Sequence, residues 1–230
     1  RSMKPLPWSF SSLSNFTTCP KQYYHTRITK DVKQEEGEAA MWGDYVHREF
    51  EKYLNAYGSV DTPPLPENLE MYRAYLNNIA DGSGKMHVEC KYAITRDLVP
   101  CDFHAPDVWC RAILDVLHLD GQQARILDHK TGKVRLNSKQ WKLSALLVFA
   151  HHPEVMLVKT GFFWLKEMKL TKESFARIGE DQLWHDFLPD LRQYREAFQT
   201  ETFHPRPSGL CNGWCPVTKC EYWKPKRVVK

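Results

Sequence analysis

The chain has 230 residues, 42% of them hydrophobic and 26% charged, so it can build a sizeable core and has no long stretch polar enough to be disordered. With 32 Lys and Arg against 28 Asp and Glu, the net charge of +4 permits a nucleic-acid partner without requiring one. No apolar run approaches the roughly 20 residues that cross a bilayer, so we expect a cytoplasmic protein with no membrane partner.

Helical spacing of apolar residues dominates the N-terminal part of the chain. The longest predicted helix has an apolar stripe of Trp42, Val46, Phe50 and Tyr53, and Gly58 ends it. The three helices predicted in this part cover residues 9–28, 35–58 and 67–82.

The pattern then changes to strands, and a hairpin turn signal at Asp120-Gly121 separates the last two of three consecutive ones. The predicted elements are strands at 85–94, 108–119 and 124–130, a helix at 138–152, a buried strand at 155–165, a helix at 173–199 that Pro189 breaks or kinks, and an irregular tail from 203. This order predicts an α/β fold in which a central mixed sheet is flanked by helices, with residues 3–230 forming a single domain.

The segments "AILDVLHLDG" and "ILDHKTGK" place Asp115, Asp128 and Lys130 among the apolar residues of a predicted hairpin. Asp128 and Lys130 are two residues apart on one strand, so they share a face. A turn centred on Asp120-Gly121 places Asp115 opposite Ile126 and on that same face. The alternative interpretation is an ordinary Asp–Lys ion pair at a strand end, with Asp115 at a polar edge of the sheet.

Two carboxylates and an ammonium on one face suit the hydrolysis of a phosphodiester. Carboxylate oxygens are natural ligands of a hard cation such as Mg²⁺, which can bind a phosphate oxygen and lower the pKa of a bound water. A neighbouring lysine can orient that water or stabilise charge that develops on phosphorus. Lys133, Arg135, Lys139 and Lys142 follow the strand, and they are either contacts for a DNA backbone or a solvated helix face.

Two further residues are candidates for the same site. In "GDYVHREF", Gly43 and His47 lie one helical turn apart, and a helical glycine often marks a close approach that would let His47 reach the sheet as a metal ligand. Gln140 begins the helix after the Asp128 strand, where its amide can meet a substrate or a catalytic group. The alternatives are a packed or surface histidine and an exposed glutamine.

The tail "CNGWCPVTKC" brings Cys211, Cys215 and Cys220 within ten residues, which is typical of a metal knuckle. The chain has seven cysteines in all, and without a secretion signal we expect reduced thiols or metal ligands. Spacing alone does not separate Zn²⁺ from a 4Fe–4S cluster. Cys19 is the candidate fourth ligand, its competitors being Cys90, Cys101 and Cys110.

Together these segments resemble the RecB-like branch of the PD-(D/E)XK nuclease superfamily, which includes the AddB nuclease domain, the CRISPR-associated RecB-like exonucleases and many phage exonucleases. The resemblance spans nearly the whole chain. It rests on six motifs in the same order: "SFSSLSNFTTCPKQYYH", "GDYVH", "AILDVLHLDG", "ILDHKTGK", the glutamine helix and "GLCNGWCPVTKC". It implies a restriction-endonuclease-like core and a bacterial or phage-infected host cell.

The resemblance also implies roles for individual residues. His47, Asp115, Asp128 and the backbone carbonyl of His129 would hold Mg²⁺ or Mn²⁺, and Lys130 would be the catalytic lysine. Glu89 on the first strand matches an acidic position near the site and is a secondary candidate, as is Gln140. A 4Fe–4S cluster, or alternatively Zn²⁺, would be ligated by Cys19, Cys211, Cys215 and Cys220. That cluster would join residues 203–223 to the N-terminal helix.

This sequence departs from the family pattern at three places. Ser144 stands at the tyrosine position of the Gln-x-x-x-Tyr helix, and Ala112 replaces a glycine that often precedes the second acidic motif. The cysteines are spaced C-x3-C-x4-C, whereas the family commonly has C-x2-C followed by a longer gap.

The function expected from these observations is a metal-dependent DNA exonuclease that hydrolyses phosphodiester bonds. The expected partners are single- or double-stranded DNA with free ends and a helicase or recombination protein. Three alternatives stay open: a structure-selective endonuclease with the same site, a catalytically silent DNA-binding subunit, and a cysteine-cluster redox protein.

Overall fold

The computed structural model describes residues 3–134 and 138–226. The helices are α1 (Phe10–Thr18), α2 (Pro20–Tyr23), α3 (Glu38–Ala56), α4 (Arg73–Ala80), α5 (Ser138–His151), α6 (Glu180–His185) and α7 (Leu188–Thr200). The strands are β1 (Lys85–Ile94), β2 (Pro100–Cys101), β3 (Cys110–Asp120), β4 (Gln123–Lys130), β5 (Leu157–Trp164) and β6 (Lys169–Ala176). Among the described residues, no helix is both long and apolar enough to cross a bilayer.

The described chain divides into two compact units. The terminal unit comprises Arg1–Glu35 and His185–Lys230, and the sheet unit comprises Glu36–Trp184. In the terminal unit, Ser9 caps α1 by accepting a hydrogen bond from the Ser12 N–H. Phe16 packs edge-on against Tyr194 of α7 with ring centroids 5.1 Å apart. The hydroxyls of Tyr23 and Tyr194 hydrogen-bond at 2.8 Å, so each buried phenol has a polar partner.

The sheet unit is built on one six-stranded sheet in the order β2-β1-β3-β4-β5-β6. All neighbouring strands are antiparallel except β4 and β5, which run parallel and are joined through α5. A parallel pair needs such a crossover connection. The sheet is therefore mixed and flanked by helices, as predicted, in the arrangement of a restriction-endonuclease-like fold.

Each face of the sheet has its own core. α5 is apolar on most sides and lies on one face, where Trp141, Val148 and Phe149 pack against Phe162 of β5. The other face carries α3 and α4, and Phe50 and Leu76 are fully buried there. Successive side chains of a strand point to opposite faces of the sheet, so one strand contributes to both cores. Charged side chains at the end of a strand are accessible to the helices of either face.

The structure corrects the predicted hairpin register. Asp120 pairs with Gln123, so the two central turn residues are Gly121 and Gln122 rather than Asp120 and Gly121. Gly121 has a φ of 56°, the left-handed conformation that glycine adopts without strain at the first central position of a primed turn. The shift is two residues, which preserves the face of every side chain. It places Asp115 level with Asp128 instead of Ile126.

Three other element predictions were wrong in part. The segment predicted as a helix from residue 173 begins as the end of β6, and Pro189 lies in the first turn of α7, where proline is tolerated, rather than inside a helix. The helix predicted over 67–82 starts as a 3₁₀ segment, Glu67–Tyr72, before α4. Trp42 is 36% exposed, so the buried stripe of α3 begins at Val46.

Candidate active site

Asp115 of β3 and Asp128 of β4 lie side by side where the hairpin ladder ends. The last regular pair of the ladder is Val116 with Leu127, and the two acids are the next residues on their strands. Beyond that pair the backbone N–H of His129 donates to Asp115 Oδ2 at 2.7 Å. The side chain of Asp115 is 12% exposed, so a largely buried carboxylate stands beside a second one.

His47 reaches the same place from α3. Its Nε2–H donates to the carbonyl of His129 at 2.7 Å, and its Nδ1 lies 3.6 Å from Asp115 Oδ1. Gly43, one turn earlier, faces Thr131, and a Cβ there would stand 3.2 Å from the Thr131 hydroxyl. The absence of a side chain at Gly43 therefore lets the helix approach the end of β4 closely.

Glu89 is aimed at the site by an unusual backbone conformation. It has a φ of 51° in the middle of β1, while its neighbours Val88 and Cys90 pair regularly with β3. A positive φ is uncommon for a residue with a side chain, and such strain concentrates at functional sites. Ligand atoms of His47, Glu89 and Asp115 all lie within 4.8 Å of one another, the one group of this kind found among the described residues.

The crowded acids change the affinity of the site for protons. Burial raises the pKa of Asp115 to about 7, and the charge of Asp128 adds to this effect, whereas His47 and the His129 N–H oppose it. Burial lowers the pKa of His47, but the Asp115 carboxylate and the bond to the His129 carbonyl outweigh it, so the net shift is upward. Burial also raises the pKa of Glu89, with a contribution from Glu51. A cation placed among these groups would relieve this repulsion.

Lys130, Asp128 and Gln140 form a closed set of contacts next to the acids. Lys130 Nζ lies 2.8 Å from Asp128 Oδ1 and donates to Gln140 Oε1 at 3.0 Å. Gln140 Nε2 in turn donates to Asp128 Oδ2 at 2.8 Å. Each member thus fixes the other two. The predicted glutamine of α5 is therefore placed at the acids, whereas the Ser144 hydroxyl donates back to the Gln140 carbonyl at 3.0 Å.

Sequence patterns did not single out Phe162, which lies under the catalytic lysine candidate. The Lys130 ammonium is 4.6 Å from the centre of the Phe162 ring, a distance that suits a cation–π contact. Phe162 pairs with Asp128 across the parallel β4–β5 ladder. Only that register reveals its position, because the residue reads as an ordinary core aromatic in the sequence.

The side chain of His129 has a supporting position. It is buried against Phe50 and Tyr75, with ring centroids 5.0 Å and 5.7 Å away. Burial lowers its pKa to about 3, with smaller contributions from His47 and Lys130, so the ring is neutral. The predicted contribution of His129 to a metal site is its carbonyl, and that atom accepts the bond from His47.

In the terminal unit, the four cysteines of the predicted ligand set line one cavity of about 20 Å³: Cys19, Cys211, Cys215 and Cys220. The backbone N–H of Arg206 lies 3.4 Å from Cys19 Sγ, and that of Ser208 lies 3.5 Å from Cys211 Sγ. The competitors Cys90, Cys101 and Cys110 belong to strands of the sheet unit.

The predicted DNA-tracking residues are only partly described. Arg135 lies outside the described residues. Lys133 is exposed, and Lys139 and Lys142 of α5 are half-buried. Their role remains a prediction.

The chain matches a known protein family and resembles solved structures. The PD-(D/E)XK nuclease superfamily model matches residues 7–220. The crystal structure of a candidate exonuclease from Eubacterium rectale has a TM-score of 0.52 at 12% identity, covering 97% of this chain and 89% of that chain. LHK-Exo in complex with dAMP has a TM-score of 0.44 at 13% identity, covering 85% of this chain and 89% of that chain.

At these identities, the Eubacterium rectale protein supports the fold alone, and the likeness to LHK-Exo is too weak to support an argument. No curated protein matches the chain. The family match, in contrast, covers most of the chain, including every residue of the acidic site. This chain belongs to the PD-(D/E)XK nuclease superfamily.

Proposed function

We propose that this chain is a RecB-like, metal-dependent deoxyribonuclease that hydrolyses phosphodiester bonds from the ends of DNA. The observation that carries the proposal is the meeting of His47, Glu89 and Asp115 within 4.8 Å. This group lies next to an Asp128–Lys130 ion pair of 2.8 Å. Membership of a nuclease superfamily supplies the reaction class, and the side chains present are those that this reaction needs.

The donor set fits a hard divalent cation. Two carboxylates and an imidazole come from three different elements, α3, β1 and β3, and burial together with the nearby Asp128 charge raises the pKa of Asp115, an effect that a bound cation would oppose. Asp128 and the His129 carbonyl are adjacent and would complete the set. Bound there, Mg²⁺ or Mn²⁺ would lower the pKa of a water and offset charge on a phosphate oxygen.

Lys130 would contribute a fixed positive charge. Its contacts with Asp128 and Gln140 hold the ammonium in place before substrate binds, and the Phe162 ring restricts it from the other side. A preorganised charge stabilises the negative charge that grows on phosphorus during in-line attack without a reorganisation cost. Gln140 would act through Lys130 and Asp128 as a positioning residue.

For the terminal unit, we propose that the four cysteines hold a 4Fe–4S cluster, with Zn²⁺ as the alternative. Backbone N–H groups near Cys19 and Cys211 favour bound thiolates, because such hydrogen bonds stabilise sulfur ligands of iron. The cluster would join residues 203–223 to the segment after α1 and so brace the terminal unit. Iron, sulfide and zinc analysis of anaerobically purified protein would distinguish the two metals.

A cleavage assay tests the main proposal. Linear DNAs labelled at one end, single- and double-stranded, are incubated with Mg²⁺ or Mn²⁺ beside a closed circle of the same sequence. Degradation of linear DNA alone supports the exonuclease, and the label reports polarity. Cutting of the circle would instead favour a structure-selective endonuclease with the same site. No cleavage of any DNA, despite measurable DNA binding, would favour a catalytically silent subunit. Whether a helicase or recombination partner acts with the enzyme is a separate question for co-purification.

A further inference from the structure

A second cavity, of about 330 Å³, opens on the face of the sheet that carries α4. α4 forms one wall, and the floor includes Leu127, Gly161 and Leu170 of β4, β5 and β6. Leu127 pairs with Gly161, and the next residue along β4 is Asp128. Because successive side chains alternate faces, the cavity and the side chain of Asp128 lie on opposite sides of β4.

Three exposed cations line this cavity next to one another: Arg125, Lys159 and Lys172. Arg125 pairs directly with Lys159 across the β4–β5 ladder. Lys172 pairs with Gly161, two residues beyond Lys159 on the same face. Like charges side by side on a sheet are destabilising. None of the described lining residues is acidic, so the described protein offers these cations no neutralising partner within the cavity.

The remaining walls suit the organic part of a ligand. Tyr75 and Ile79 of α4 face the apolar floor, and the volume lies at the lower end of the range of small-molecule sites. Glycine at position 161 keeps the floor open, since a Cβ there would stand 3.1 Å from both Leu127 Cδ2 and Leu170 Cδ1. The Arg125 guanidinium is partly oriented by its bond to the Ser83 carbonyl at 3.4 Å.

We propose that this cavity binds a nucleotide unit, with its phosphate on Arg125, Lys159 and Lys172 and its uncharged part against the floor. Guanidinium and ammonium groups form strong charge-assisted bonds to phosphate, and an anion here removes the repulsion among the three cations. The unit is either a free mononucleotide or part of a strand that passes behind the sheet. The choice of a nucleotide rests on the proposed nuclease function, whereas the affinity for phosphate rests on the cavity alone.

Binding is measured by calorimetry in a Lys130→Ala background with EDTA, so that the substitution and the lack of free divalent metal together suppress hydrolysis. The probes are thymidine 5′-monophosphate and an oligothymidylate. A variant with both Lys159→Ala and Lys172→Ala is compared with a Lys169→Ala control, which removes an exposed lysine of β6 that pairs with Trp164 on the other face. We expect the Kd of the double variant for at least one probe to rise about tenfold or more, and the Kd of the control to equal that of the Lys130→Ala parent.

The two probes separate the sources of the ligand. Lysine-dependent binding of the mononucleotide assigns a free nucleotide, and lysine-dependent binding of the oligonucleotide alone assigns a strand. Equal binding by the parent and the double variant, or equal loss in the Lys169 control, would overturn the assignment. The nuclease proposal is tested separately, because the cleavage assay uses the parent protein, in which Lys130 is intact.

Discussion

The backbone N–H of His129 donates a hydrogen bond of 2.7 Å to Asp115 Oδ2. The other oxygen of Asp115 lies 3.6 Å from His47 Nδ1, so one carboxylate is held by β4 on one side and faces α3 on the other. Side-chain rotation of Asp115 is therefore restricted before any metal binds. Such preorganisation is what a metal site of defined geometry requires.

Glu89 is predicted to be a metal ligand of the same importance as Asp115. Replacing Glu89 with Gln removes a carboxylate charge from the group that meets within 4.8 Å, so Mn²⁺ should no longer raise the melting temperature. For the parent protein, a free Mn²⁺ concentration of about 100 times Kd should add about 2.7 kcal/mol to the free energy of unfolding. Thermal unfolding with and without Mn²⁺ measures the effect. Glu167→Gln, at an exposed position, is the control, and an undiminished Mn²⁺ response in Glu89→Gln would contradict the assignment.

In the metal-free protein, Asp115 should contribute a loss of stability as the pH rises from about 4 to 7, whereas the lowered pKa of buried His129 contributes in the opposite direction. The pKa of Asp115 is about 7 in the folded protein and about 3.9 in an unfolded chain, so between these values the folded state holds a proton that the unfolded state has released. The raised pKa of His47 acts in the same direction. Urea unfolding in EDTA should show that Asp115→Asn, which mimics the protonated acid, removes much of this pH dependence. A parent protein that gains stability relative to the variant over this range would refute the prediction.

The acidic face of the hairpin could be predicted because strand periodicity is robust. Asp115, Asp128 and Lys130 share a face for any register error of two residues, and the error in the turn was of that size. The glycine at 43 likewise indicated the close approach of α3, which the contact with Thr131 explains. The alternation of strand side chains and the position of a helical glycine are local sequence signals, so they can be recognised without knowledge of the tertiary structure.

Other features depend on contacts that no local pattern records. β6 has weak alternation at the edge of the sheet, and pairing with β5 decides its conformation, so a helix was predicted for its second half. The positive φ of Glu89 and the place of Phe162 under Lys130 both follow from the registers of neighbouring strands. The grouping of Cys19 with the tail cysteines similarly could not come from spacing.

Gln140 should affect catalysis through the groups that it orients. Gln140→Ala removes hydrogen bonds to both Lys130 and Asp128, and we expect kcat to fall about 10–100-fold with a smaller change in KM. Ser144→Ala is the matched control one helical turn away, because the Ser144 hydroxyl bonds only the backbone carbonyl of Gln140 among the contacts described. Equal kcat values for Gln140→Ala and the parent would show that the glutamine does not position the site.

The cysteine set should act as a unit. Cys211→Ser should abolish the bound iron and sulfide, or the bound zinc, and should lower the melting temperature of the terminal unit, whereas Cys101→Ser in β2 should change neither. Metal content and visible absorbance of both variants measure the outcome. Metal retained at full occupancy in Cys211→Ser would exclude this cysteine from the ligand set.

The most direct test of the proposed nuclease is the rate of phosphodiester hydrolysis by Lys130→Ala. In the parent protein the Lys130 ammonium lies 2.8 Å from Asp128, whereas Lys166 is exposed and has no proposed role, so it serves as the control. With saturating Mn²⁺ and end-labelled linear DNA, we expect Lys130→Ala to lose about 10²–10³-fold in kcat and Lys166→Ala to stay close to the parent. Hydrolysis by Lys130→Ala at the parental rate, or no Mn²⁺-dependent hydrolysis by the parent, would contradict the account.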